Sequence, residues 1–237
     1  MKSKSLRSSR KGQAGFTLVE IAIVLVIIGL LLGGVLKGQE LIEQSKIKRV
    51  VNDFNSISAA FNTYQDRYKA LPGDDLNAAT RWTTAINGTT AATSLAEVDG
   101  GGDGVITATL AEVFNPSVAD EGGLAWQHLR ASGLLSGDMS TDALSTTEQR
   151  TPFNSSYGFG ASADAFGLGI APIFCASLPP KAAEQLDRDL DDGSPTTGLI
   201  RAGDPGATKD AAPGAVTTNT VYVDDAAAPW ITVCKKI

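Results

Sequence analysis

Between Phe16 and Leu36 the chain places 21 residues of which only Thr17 and Glu20 are clearly polar. As a helix this run rises about 31 Å, the thickness of a bilayer's hydrocarbon core. It is apolar on every face, so one globular core cannot cover it. The acid inside it is the exception that needs a reason. A carboxylate in such a run costs roughly 2.5–3.5 kcal/mol on insertion scales, so Glu20 calls for a partner.

The flanking charge orients the run. Residues 1–15 hold Lys2, Lys4, Arg7, Arg10 and Lys11 and no acid, which keeps this end cytoplasmic and exports the rest of the chain. A secretory signal peptide has a shorter apolar core that ends at small residues, whereas here the small residue, Gly15, precedes the run. A plain signal anchor explains the length and the charges, but neither the Gly15–Phe16 junction nor Glu20.

Gly15 followed by Phe16-Thr17-Leu18-Val19-Glu20 resembles the leader junction of type IV pilins and of the pseudopilins of type II secretion. The resemblance covers about residues 12–40. It implies cleavage after Gly15 by a prepilin peptidase, methylation of the new amino terminus at Phe16, and Glu20 as the fifth mature residue. Two readings of Glu20 stay open. In one, subunits packed in parallel with an axial stagger bring one chain's amine to the next chain's Glu20, each charge offsetting the other's desolvation and fixing register. In the other, Glu20 is satisfied by its own amine.

Past Lys37 the apolar positions become Leu41, Ile42, Ile47, Val50, Val51, Phe54, Ile57, Phe61, Tyr64 and Tyr68, spaced by threes and fours. This is an amphipathic helix with one buried stripe. Leu71-Pro72-Gly73-Asp74 stops it. A single helix from Phe16 to about Lys69 is therefore expected, apolar all round in its first half and two-faced in its second, with Gly33, Gly34 and Gly38 as points for bending.

Residues 71–123 read as loop-rich. Within them, Asp99-Gly100-Gly101-Gly102-Asp103-Gly104-Val105-Ile106 partly matches a calcium loop, with Asp99 and Asp103 as candidate ligands. Gly101 stands where a ligand is needed and Glu112 falls two positions late, so a plain glycine turn is the competing reading. Residues 124–135 read as a short helix ended by Gly133. It carries the chain's single histidine, His128, a structural residue by its surroundings.

The remainder, 166–237, reads as a small antiparallel sheet with strands at 166–175, 198–202, 220–224 and 230–235. A helix opened by proline lies at 179–190. Asp187, Asp189, Asp191 and Asp192 could act as oxygen ligands, but Asp192 falls where a calcium loop needs its turn glycine. The segment is taken as a helix end and an acidic turn. Cys175 and Cys234 are the only cysteines. In an exported chain a disulfide is the default reading and two buried thiols the alternative. A C-terminal loop closed by a disulfide is also a feature of type IV pilins that many major pseudopilins lack.

The whole chain carries −6, and loss of the five leader cations takes it to −11 before the new amine is counted. Broad binding to nucleic acid is not expected of such a surface. No phosphate loop, metalloprotease motif or nucleophile elbow occurs, so no enzyme is expected, and no cofactor beyond the calcium reading. The expected fold class is α+β, pilin-like. It comprises a leader (1–15), a transmembrane and filament-core helix (16–36), its amphipathic continuation (37–70) and an exported head (71–237).

The resemblance implies a single-pass precursor in the inner membrane with a cytoplasmic N-terminus, then a periplasmic or extracellular filament. Its partners would be the lipid bilayer, the prepilin peptidase, an inner-membrane assembly platform and other pilins. It leaves three roles: a structural subunit of a type IV pilus-like fibre, a pseudopilin of a type II secretion system, or a minor pilin for adhesion or DNA uptake.

Overall fold

The computed structural model describes residues 17–82, 100–108, 112–117, 119–137, 148–161, 168, 171–203, 206, 208–210 and 222–237. In chain order the elements are α1 (Leu18–Tyr68), α2 (Ala78–Arg81), α3 (Glu121–Ala131), β1 (Tyr157–Ala161), β2 (Pro172–Leu178), α4 (Pro180–Leu190), β3 (Ile200–Ala202) and β4 (Ile231–Lys236). This is an α+β arrangement of a long N-terminal apolar helix and a small antiparallel sheet of four strands. The chain divides into two compact units, Met1–Gln44 and Ser45–Ile237.

The first unit contributes the apolar part of α1. Its large side chains, among them Leu18, Ile23, Leu25, Leu30 and Leu36, are exposed. The helix is long and apolar enough to cross a membrane.

In the second unit, the remainder of α1 buries Ile47, Val50, Phe54, Ile57, Phe61 and Tyr64, successive members of the three-and-four stripe. The sheet has the order β1-β2-β4-β3 with every neighbouring pair antiparallel. Phe54 meets Phe174 at 4.8 Å and Tyr157 at 6.0 Å between ring centroids. Phe61 meets Phe159 at 5.8 Å, and Trp126 of α3 closes on Phe159 at 4.7 Å. Edge-on and tilted ring pairs of this kind add to the burial of their area. The hydroxyl of Tyr157 donates to Asp53 on α1 at 2.8 Å, which ties helix and sheet at the margin of this core.

The structure corrects several sequence expectations. Residue pattern places no strand at 150–165, yet β1 lies there and forms one edge of the sheet. Its sequence is Tyr-Gly-Phe-Gly-Ala, and glycines weaken a strand signal. Here they serve packing: a Cβ on Gly158 would sit 1.9 Å from the Val113 carbonyl oxygen, and one on Gly160 2.7 Å from a Val113 methyl. Tyr157 and Phe159 fill the other face.

The helix expected at 124–135 runs from Glu121 to Ala131. It starts earlier because Asp120 caps it, accepting from the Gly123 N–H at 2.6 Å, and its last turn closes through Gly133 in the left-handed region. Of the strand expected at 166–175, residues 166, 167, 169 and 170 lie outside the described residues; the described strand is Pro172–Leu178, since β4 supplies partners as far as Leu178 opposite Ile231. The strand at 198–202 shortens to Ile200–Ala202 because Gly198 takes a left-handed turn conformation. Residues 220 and 221 of the strand expected at 220–224 lie outside the described residues, and Tyr222–Asp224 join no ladder. The last strand is Ile231–Lys236 rather than 230–235.

Candidate functional site

The first described residues make a helix cap. Thr17 precedes α1, and its hydroxyl accepts from the Glu20 N–H at 3.2 Å. The Glu20 carboxylate returns the bond, accepting from the Thr17 N–H and from the Thr17 hydroxyl, each at 2.8 Å. Reciprocal bonding between the residue before a helix and a Glu three positions on satisfies two otherwise orphaned N–H groups. The carboxylate also sits in the first turn, where the helix dipole favours negative charge. Thr17-Leu18-Val19-Glu20 carries this capping pattern in plain sight, although the cost of an acid in an apolar run draws the eye to Glu20 alone. Gly15 and Phe16 lie outside the described residues.

Cys175 of β2 and Cys234 of β4 stand directly opposite in the register, with their Cα atoms 4.0 Å apart, and are disulfide-bonded. Both are fully buried. The bond staples the central pair of strands, and Arg201 of β3 is register partner to Cys234 on its other side. Closing a loop of 59 residues is worth about 4 kcal/mol on the chain-entropy account.

Of the two candidate calcium ligands at 99–106, Asp99 lies outside the described residues. Asp103 turns one carboxylate oxygen to the Val105 N–H at 2.9 Å, and its own N–H donates to Asp74 at 3.2 Å. Asp74 also accepts from Gly102 and, at 2.7 Å, from Gly104. Glu121 accepts from Gly101 at 2.6 Å and from Thr107. Two buried acids from elsewhere in the sequence thus gather the N–H groups of the glycine segment. Burial pushes the Asp74 carboxyl above its ordinary value, and the N–H groups of Gly104 and Gly102 oppose that rise.

Beside this loop lies an open cavity of about 380 Å³, lined by Tyr68, Lys69, Asp74, Asp75 and Arg81 among others. Burial raises Asp75, but the Asn77 N–H, the Arg81 guanidinium and the Tyr64 hydroxyl outweigh it and leave the carboxyl below its usual range. His128 is fully buried. Its Nδ1 accepts from the Gly73 N–H at 2.9 Å, and its ring stacks on Tyr64 at 6.2 Å between centroids. Burial drives it down to about 4, so at neutral pH it is an uncharged fixture of the core.

Among the described residues, most of the exposed large apolar side chains lie on α1 between Leu18 and Ile42. Residues 10–36 match the family model for the prokaryotic N-terminal methylation motif, the signature of type IV pilins and pseudopilins. No curated protein and no solved structure matches the chain. The motif supports a type IV pilin-like or pseudopilin family member and implies processing by a prepilin peptidase and assembly with other pilins. Proteins of that motif family are structural, and the apolar helix fits a membrane-anchored precursor.

Proposed function

We propose that the chain is a structural subunit of a type IV pilus-like filament. It is made as a membrane-anchored precursor, cleaved after Gly15, methylated at Phe16 and assembled through its N-terminal helix. The observation that carries this reading is the methylation motif on a helix whose apolar side chains are exposed from Leu18 to Ile42. So large a continuous apolar surface needs lipid before assembly and other subunits after it. The disulfide between the last strand and β2 favours the pilus reading over the pseudopilin one, on the family resemblance.

Glu20 then acts at two stages. In the precursor its carboxylate caps α1 through Thr17. After cleavage, the new amine of a neighbouring subunit meets it in the filament core. A mismatched stagger leaves both charges unpaired in a low-dielectric interior, which is costly. Glu20 selects register more than it adds stability.

The test compares filaments from wild type, Glu20→Ala and Glu20→Gln strains by electron microscopy and sheared-fibre yield. Loss or disorder of fibres with normal precursor cleavage is expected, and normal yield and order in both variants would overturn the role. A deletion strain separates the two systems. Loss of surface fibres supports the pilus, whereas retention of exoproteins inside the cell assigns the chain to secretion.

A further inference from the structure

The end of α1 forms one wall of the open cavity of about 380 Å³. Tyr68 is the last residue of the helix. Lys69 follows in the left-handed region at φ 58°, its N–H donating to the Gln65 carbonyl at 2.8 Å. This cap ends the helix and turns the chain away from its axis. The segment that follows, with Asp74, Asp75, Asn77 and Arg81, and the glycine loop supply the other walls.

Those walls are held by the protein's own bonds. Asp74 is fixed by the N–H groups of Gly102, Asp103 and Gly104. Asp75 accepts from the Tyr64 hydroxyl at 2.8 Å, from the Asn77 N–H at 2.9 Å and from the Arg81 guanidinium. Arg81 also lies over the Tyr68 ring, 4.9 Å from its centroid. A pre-formed cavity of a few hundred Å³ with convergent polar groups is the usual form of a small-ligand site.

The uncommitted groups define the ligand. Among the described residues, the side-chain amides of Gln65 and Asn77, the Tyr68 hydroxyl and the Lys69 ammonium line this cavity and make no hydrogen bond. Asn77 precedes α2 yet gives it no side-chain cap. Each amide offers an acceptor oxygen and two donor hydrogens, the hydroxyl does both, and the ammonium only donates. Formal charge in the lining cancels, with Lys69 and Arg81 against Asp74 and Asp75.

This set disfavours three ligand classes. A polyanion faces two carboxylates and the C-terminal end of α1, whose dipole opposes negative charge. A cation faces Lys69 and Arg81. An apolar molecule strips water from the free amides and hydroxyl and returns no partner. A neutral molecule dense in hydroxyls meets each condition, because every hydroxyl both donates and accepts. Leu71 and Leu76 add apolar surface to the same cavity, which suits the C–H faces of a sugar ring.

We propose that this cavity binds a neutral saccharide unit through Gln65, Tyr68, Lys69 and Asn77. The proposal stands apart from the filament reading, since every residue in it belongs to the second unit.

The test uses the full chain in a detergent without a sugar headgroup. Saturation-transfer NMR and calorimetry follow binding of glucose, galactose, N-acetylglucosamine and maltose, with glycylglycine and inorganic phosphate as the zwitterionic and anionic comparisons. Transfer to at least one sugar is expected, in preference to both comparisons. Asn77→Ala removes one set of hydrogen bonds and should weaken that binding about three- to tenfold. Gln65→Trp, on an exposed helix position, should block the cavity and abolish binding. Gln185→Ala, on α4, should leave it intact, and an unchanged Tm shows that each variant is folded. Printed glycans separate the sources: a gain in affinity there assigns the terminal sugar of a glycan chain, and equal affinity assigns a free sugar. The site is overturned by no transfer to any sugar at millimolar concentration, by glycylglycine or phosphate binding more tightly than every sugar, or by unchanged sugar affinity in Asn77→Ala and Gln65→Trp.

Discussion

Acidification should destabilise the second unit through His128. Its folded value of about 4 lies below the ordinary histidine value of 6.5 because burial excludes the charged ring. Between those values the unfolded chain takes up a proton that the folded chain refuses. The contribution to stability is therefore full above pH 6.5, falls as the pH drops, and is gone below about pH 4. Its total is about 3 kcal/mol, and about 2.5 kcal/mol is lost between pH 7 and pH 4.5.

Urea unfolding of the chain in detergent, followed by tryptophan fluorescence from pH 7 to 4.5, measures this against His128→Gln. The glutamine oxygen can still accept from the Gly73 N–H but does not titrate. Carboxylates that titrate in both proteins cancel in the difference. Wild type should lose about 2.5 kcal/mol more than the variant over this range. A difference below about 0.5 kcal/mol, a third of one pK unit, or an imidazole NMR titration near 6.5 in the folded protein, would refute the reasoning.

The packing sets two further outcomes. Replacing Cys175 and Cys234 together by alanine should lower the unfolding free energy by about 4 kcal/mol, read as an earlier urea midpoint; an unchanged midpoint would show that the β2–β4 staple does not constrain the unfolded chain. Gly73 has φ +98°, and a Cβ there would stand 2.3 Å from the Glu121 carbonyl oxygen, so Gly73→Ala should cost about 2–4 kcal/mol from strain and displaced backbone. Gly104 is also left-handed but has open space around it, and Gly104→Ala should cost about half as much; equal losses would remove the role of close approach.

Patterns that depend on local backbone geometry are legible in the chain. The apolar run, the three-and-four stripe from Ile47 to Tyr64 and the proline-opened α4 obey a helix's fixed period, so residue type alone places them. The glycine-rich strand β1 is not legible. Gly158 and Gly160 depress strand propensity, and only Val113, with its backbone against Gly158 and a methyl against Gly160, explains why nothing larger fits. The capping pattern at Thr17 and Glu20 is readable but overshadowed by the cost of an acid in an apolar run.

Charge placement divides in the same way. Residue order is enough to put a cationic stub and a glycine before an apolar helix with one acid near its start, because insertion energetics and charge bias act along the chain. The roles of the other acids come only with folding. Asp74 and Glu121 lie 47 positions apart yet hold one glycine loop, while Asp187 loses its water and sits with Asp191 and Asp192. A carboxylate's chemistry is set by the donors and solvent around it, and folding brings those from distant parts of the chain.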